Sequence, residues 1–214
     1  ANQLTISHGS KVENAKTGSG DDTIIGNQLS NLIISGTGDD IIFAGEGLDV
    51  ILPGIGKNKI DLSEDVKVQD RLVFEISDGD KEFDTLYGFT LGSTGDRIDL
   101  TNFDFPELNF LPLVASSNIP LGNIDYSLVR IYGTDFNGFE NLESYLLNGD
   151  LFDNLSLSVG KHSILVTSSS QGTGENQNIY YLNNISGYVD VHHMAQLVGN
   201  YLDIDNWSVD NFII

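Results

Sequence analysis

Cysteine is absent from the 214-residue chain, so neither a disulfide framework nor a thiolate metal site is available. Basic residues are scarce: 10 Lys and Arg stand against 31 Asp and Glu, a net charge of -21. That imbalance disfavours nucleic acid and anionic membrane as partners, because like charges repel. No uninterrupted apolar run is long enough to form a membrane-spanning helix. The opening "ANQLTISHGS" lacks the basic and apolar regions of a signal peptide, so an export signal is expected elsewhere.

Catalytic signatures are missing too. There is no H-E-x-x-H zinc motif and no G-x-S-x-G nucleophile elbow. His192 and His193 are adjacent, and in a strand they would face opposite sides, a poor metal pair. The chain is therefore expected not to be an enzyme. Its apolar content of 40% is nevertheless too high for a disordered acidic tail, and the length permits a substantial core. An acidic surface that folds needs either salt tolerance or bound cations.

What the sequence has is a repeat. Residues 17–61 divide into "TGSGDDTII", "GNQLSNLII", "SGTGDDIIF", "AGEGLDVIL" and "PGIGKNKID". The sixth position reads Asp22, Asn31, Asp40, Asp49, Asn58, and the eighth reads Ile24, Ile33, Ile42, Ile51, Ile60. A weaker unit, "HGSKVENAK", precedes them with Glu13 and Ala15 in the same slots. Each unit suits a glycine-rich turn followed by a short strand whose middle residue points inward. Two units make one coil, and stacked coils give two thin parallel sheets around a line of isoleucines.

This pattern resembles the calcium-binding nonapeptide of RTX proteins, and the lead-in "SHGSKVENAKTGSGDDTIIGN" resembles the C-terminal domain of serralysin-type secreted proteases. The resemblance implies an all-β fold. A short right-handed parallel β-roll would occupy residues 1–65. A mainly antiparallel, β-sandwich-like region with one or two short helices would occupy 66–214 and cap the roll. It further implies that calcium lies between neighbouring coils. Asp22 would face Asp40, Asn31 would face Asp49, and Asp40 would face Asn58, with turn carbonyls at Gly18, Gly20, Gly36, Gly38, Gly45 and Gly47 completing the oxygen shell. About two to five ions are expected. The loop after the roll carries Asp78, Asp80, Asp84 and Asp96, which could hold another ion or form a solvated acidic turn.

Further along, strands are expected at 71–76, 96–103, 155–159, 162–167, 178–182 and 189–199, with a helix over 138–149. The end, Asp210 followed by Phe212, Ile213 and Ile214, resembles an uncleaved type I secretion signal; a final core strand is the plainer reading. The expected function is a calcium-binding C-terminal module of a larger secreted bacterial protein, extracellular, with the type I secretion machinery as its transient partner. One alternative is a cell-surface adhesin or glycan-binding domain, with Tyr180, Tyr181, Tyr188 and Trp207 stacking on sugar; placement in the core is the plainer reading for most of these four. Another is part of a secreted protease, lipase or alginate epimerase.

Overall fold

The computed structural model describes residues 3–5, 9–75, 83–103, 105–110, 114–115, 124–132, 157–168, 176–185, 187–199 and 206–214. The short strands come first: β1 Gln3–Thr5, β2 Asn14–Lys16, β3 Thr23–Ile25, β4 Leu32–Ile34, β5 Ile41–Phe43, β6 Val50–Leu52, β7 Lys59–Asp61, β8 Arg71–Val73, β9 Asp84–Tyr87 and β10 Arg97–Asp99. Then follow β11 Asn109–Phe110, β12 Val114–Ala115, β13 Ser127–Tyr132, β14 His162–Ser168, β15 Gln177–Ile185, β16 Tyr188–Val198 and β17 Phe212–Ile213.

Each repeat ends by crossing to the opposite sheet, so odd and even strands separate. β1, β3, β5, β7 and β9 lie side by side in one sheet, and β2, β4, β6, β8 and β10 in the other. All these neighbours are parallel. In the repeat strands the middle residue is buried while its neighbours are partly or fully exposed, as two-residue alternation requires. Register sets Ile24, Ile42, Ile60 and Leu86 in one inward column, and Ala15, Ile33, Ile51, Leu72 and Ile98 in the other. Burial of these two facing columns is the main apolar stabilisation of so thin a structure.

Neither sheet breaks at residue 65. The first sheet continues through β9 into β16, which pairs with it in parallel, and then into the antiparallel pairs β16–β15 and β15–β14. β13 adds in parallel to β14. The second sheet continues through β8 and β10 and closes on β17, with Ile98 opposite Phe212. Thus the chain's last strand covers an edge that would otherwise be open.

The expected strand at 155–159 is not formed in its described part, residues 157–159. There Ser158 N–H donates to Asp125 Oδ1 at 2.7 Å, and Lys161 N–H donates to Ser158 O at 3.0 Å. Those bonds commit the backbone to a turn at Val159–Gly160. The helix expected over 138–149 lies outside the described residues. The complete helical turns among the described residues are Thr101–Phe103 and Val209–Asn211.

Candidate metal centre

The glycines hold the turns close enough to stack. Gly36 and Gly38 have φ of 103° and 129°, and a Cβ at Gly36 would lie 2.0 Å from Gly18 O. Gly45 and Gly47 repeat the arrangement on the other edge, where a Cβ on Gly45 would meet Asn27 O at 2.1 Å. Only glycine allows both the left-handed backbone and this approach. The stacked turns are then joined through their own peptides: Thr37 N–H donates to Gly18 O, and Ile55 N–H to Gly36 O.

Directly after each turn comes the acid or amide of the repeat, and it points back under the turn. Asp22 N–H donates to Asp40 Oδ1 at 2.8 Å, and Asp40 N–H donates to Asn58 Oδ1 at 3.0 Å. Asn58 N–H in turn donates to Asp84 Oδ1 at 2.9 Å. On the opposite edge Asn31 N–H donates to Asp49 Oδ1 at 2.6 Å, Asp49 N–H to Asp70 Oδ1 at 2.8 Å, and Asp70 N–H to Asp96 Oδ1 at 2.9 Å. Two ladders of side-chain oxygens therefore run the length of the roll, one on each edge. Every rung is buried.

The pairs proposed from the sequence sit on adjacent coils, with Asp40 between Asp22 and Asn58. Asp84 and Asp96 are not members of one loop site; they are the next rungs of opposite ladders. Asp78 and Asp80 lie outside the described residues. Asp70 went unnoticed because the step from Asp49 is 21 residues and the next is 26, instead of 18. The signal that survives is an acid or amide two residues before an inward apolar residue: Asp70 before Leu72, Asp84 before Leu86, Asp96 before Ile98.

In Asp40, Asp49 and Asp70 one oxygen accepts a peptide N–H. The other is a different matter. Asp40, Asp49 and Asp70 each keep a buried Oδ2 with no hydrogen-bond partner. Burial away from water raises the pKa of Asp40, and raises Asp49 to about 7 and Asp70 to about 8, with neighbouring carboxylates adding to the effect. Rows of buried carboxylates without countercharge are costly unless a proton or a cation joins them. Calcium fits this chemistry: it takes six to eight oxygens, mixes carboxylate with carbonyl ligands, and tolerates irregular geometry. Asp22, Asp40, Asp49 and Asp70 would supply charge, and the turn carbonyls at Gly18, Gly20, Gly36, Gly38, Gly45 and Gly47 the remaining oxygens. Among the described residues no three acidic or histidine side chains already converge in a ready cage, so backbone oxygens would have to complete any shell.

Other expected residues have different surroundings. Tyr180, Tyr181 and Trp207 are buried, so they offer no stacking platform for sugar. Trp207 Nε1 donates to Gln177 Oε1, and its ring stacks on Phe89 and Phe212. His193 is sandwiched between Phe83 and Tyr180, while His192 lies 3.1 Å from Asp190. At the terminus Phe212 is buried, Ile213 is half-buried, and Asp210 and Ile214 are exposed.

Comparison with known proteins agrees with the geometry. Residues 12–60 match the RTX calcium-binding nonapeptide repeat (4 copies), in overlapping segments at 12–28, 16–51 and 25–60. No curated protein matches the chain. Glycine-bounded turns, a side-chain oxygen ladder and the repeat match coincide on the same residues: 12–60 form a parallel β-roll and match the RTX calcium-binding nonapeptide repeat.

Proposed function

We propose that this chain is a calcium-triggered folding module of a secreted protein, disordered before export and closed by calcium outside the cell. The observation that carries the reading is the buried, unpartnered Oδ2 of Asp40, Asp49 and Asp70. A fold that leaves such atoms in its interior depends on a ligand that answers them. Extracellular modules bind calcium at about 10⁻⁴ to 10⁻³ M, which keeps them empty in cytosol and filled outside. Each ion held at about 100 times its dissociation constant adds about 2.7 kcal/mol.

The terminal residues Asp210, Phe212, Ile213 and Ile214 serve as the type I export signal while the chain is extended. After folding, Phe212 and Ile213 become strand β17. The ladder carboxylates act in structure, and the chain has no catalytic role of its own. A serralysin-type parent protein is the relation that the lead-in "SHGSKVENAKTGSGDDTIIGN" supports.

Calcium titration followed by circular dichroism tests the core of this reading. Addition of calcium to chelated protein should raise the β-type signal cooperatively. Asp40→Ala should move the midpoint to higher calcium by about tenfold or more, because it removes a ladder oxygen and a ligand together. A chelated sample with full β-signal, or an unchanged Asp40→Ala midpoint, defeats the proposal. Export is tested separately: a chain lacking residues 205–214 should remain inside the producing cell.

A further inference from the structure

Basic side chains are scarce in this chain, yet two of its three arginines stand side by side. Arg71 begins β8 and Arg97 begins β10, and the parallel register sets them directly opposite each other. Both point to the outer face of the second sheet, because Leu72 and Ile98 after them turn into the core. Like charges on neighbouring strands repel, so the pair is costly unless an anion answers it.

One carboxylate is at hand, and Arg71 takes it. Asp99, two residues beyond Arg97 on the same face, is fully buried. Its Oδ2 accepts Arg71 Nε at 2.6 Å and also pairs with Arg71 Nη2. Its Oδ1 accepts Thr101 N–H at 2.9 Å and the Thr101 hydroxyl at 2.7 Å. Burial works against the charge of Asp99, but the bonds from Thr101 and Arg71 outweigh it and hold its pKa below the usual value. Four donors thus occupy this carboxylate, and none of them is Arg97. Arg97 Nε is shut away from water and has no hydrogen-bond partner. A guanidinium N–H in that state is destabilising until an acceptor reaches it. Arg71 still has Nη1 to offer, on a side chain that is 44% exposed.

The rest of the face is apolar. Val50 lies opposite Arg71, and Val73 follows Arg71 on the same side; both are half-buried. Leu32, Ile34 and Leu52 extend this surface across β4 and β6. Among the outward residues of β2, β4, β6, β8 and β10 the single acid is Asp99, already paired. In a chain of charge -21 this face is therefore positive and apolar.

We propose that Arg71 and Arg97 together bind one tetrahedral oxyanion of the phosphate or sulfate class, with the adjoining valines and leucines receiving an apolar body attached to it. Arg97 supplies Nε and a terminal N–H, and Arg71 supplies Nη1. Two guanidinium groups on separate strands approach from different sides, which suits the spread oxygens of a tetrahedral anion better than the two coplanar oxygens of a carboxylate. The net charge repels free anions, so apolar contact favours an ester over the bare ion. The site stands apart from the oxygen ladders, which run along the edges of the roll.

The test uses the whole chain in enough calcium to fold it, as read by circular dichroism. The probes are inorganic sulfate, octyl sulfate and acetate. In spectra of the arginine side-chain N–H groups, the Nε–H signals of Arg71 and Arg97 should shift together and saturate. Arg130, whose Nη1 donates to Trp207 O, should stay in place. Octyl sulfate should bind about tenfold tighter than sulfate, and acetate more weakly than either. Arg97→Gln should abolish the saturable shift of Arg71, and Arg97→Lys, which keeps the charge without the fork, should weaken it about fivefold or more. Lys16→Gln alters the net charge as much as Arg97→Gln, on the same face but opposite Ile34 on β2, and should bind like the natural chain. Equal losses in Arg97→Gln and Lys16→Gln, or like shifts of all three arginines, would reduce the effect to general screening and refute the site. Equal affinity for sulfate and octyl sulfate would assign the site to the free ion and remove the apolar contact. A folded chain whose Arg97 signal does not move overturns the proposal and leaves the calcium reading intact.

Discussion

At the scale of single residues, two kinds of glycine can be told apart. Gly20 and Gly36 both have positive φ, 97° and 103°, but only Gly36 is hemmed in: a Cβ there would lie 2.0 Å from Gly18 O, whereas nothing lies within 4 Å of one at Gly20. Gly20→Ala therefore meets backbone strain alone, about 1 kcal/mol. Gly36→Ala adds a collision with the preceding coil and should cost roughly 3 kcal/mol or more, since whole turns must separate. Urea unfolding in saturating calcium would measure both. Equal losses would mean that coil-to-coil contact at the turn does not matter. The repeat alone cannot show this difference, because both glycines occupy correct places in it; contact with the previous coil distinguishes them.

At the scale of elements, a three-residue strand leaves one side chain to the core. Ile42 is fully buried in β5 while Phe43 beside it is 44% exposed. Ile42→Ala should lose about 2–5 kcal/mol, and Phe43→Ala under about 0.5 kcal/mol although it removes the larger side chain. Unfolding curves at fixed calcium would show it, and comparable losses would count against the assigned facing. This alternation was legible, because a fixed nine-residue step keeps turn, acid and apolar residue in phase from Asp22 to Asn58. Legibility failed where loops lengthened. Asp70 and Asp96 keep the acid and the inward apolar residue two positions later, but intervals of 21 and 26 residues remove the period that made the earlier units visible. Glu64, whose Oε1 accepts Gly47 N–H from another coil, had no signal at all. The 157–160 turn was misread for a similar reason: its partner, Asp125, is distant in sequence.

For the whole molecule, the ladders couple stability to both pH and calcium. Asp49 and Asp70 have folded pKa values raised to about 7 and about 8, above the ordinary carboxylate value of about 4. In the chelated protein the folded state therefore holds more protons than the unfolded chain between those limits. Its stability is greatest at low pH and declines as pH rises from about 4 through 7 to 8, by roughly 4–6 kcal/mol per group over the whole range. Calcium supplies the missing positive charge and should flatten this decline. Loss of net repulsion on acidification would push in the same direction, because the chain carries a charge of -21. The two causes separate in Asp70→Asn. That variant keeps almost all of the net charge but lacks the titrating group, so its chelated stability should fall less steeply between pH 6 and 9 than that of the natural chain. At pH 6 the share of chelated protein that is folded retains these protons, and calcium binding to that share should release them; calorimetry in buffers of different ionisation enthalpy would count them against the folded fraction read by circular dichroism. Parallel pH profiles for the two proteins, with no proton release at pH 6, would assign the effect to overall repulsion and remove the buried carboxylates from the explanation.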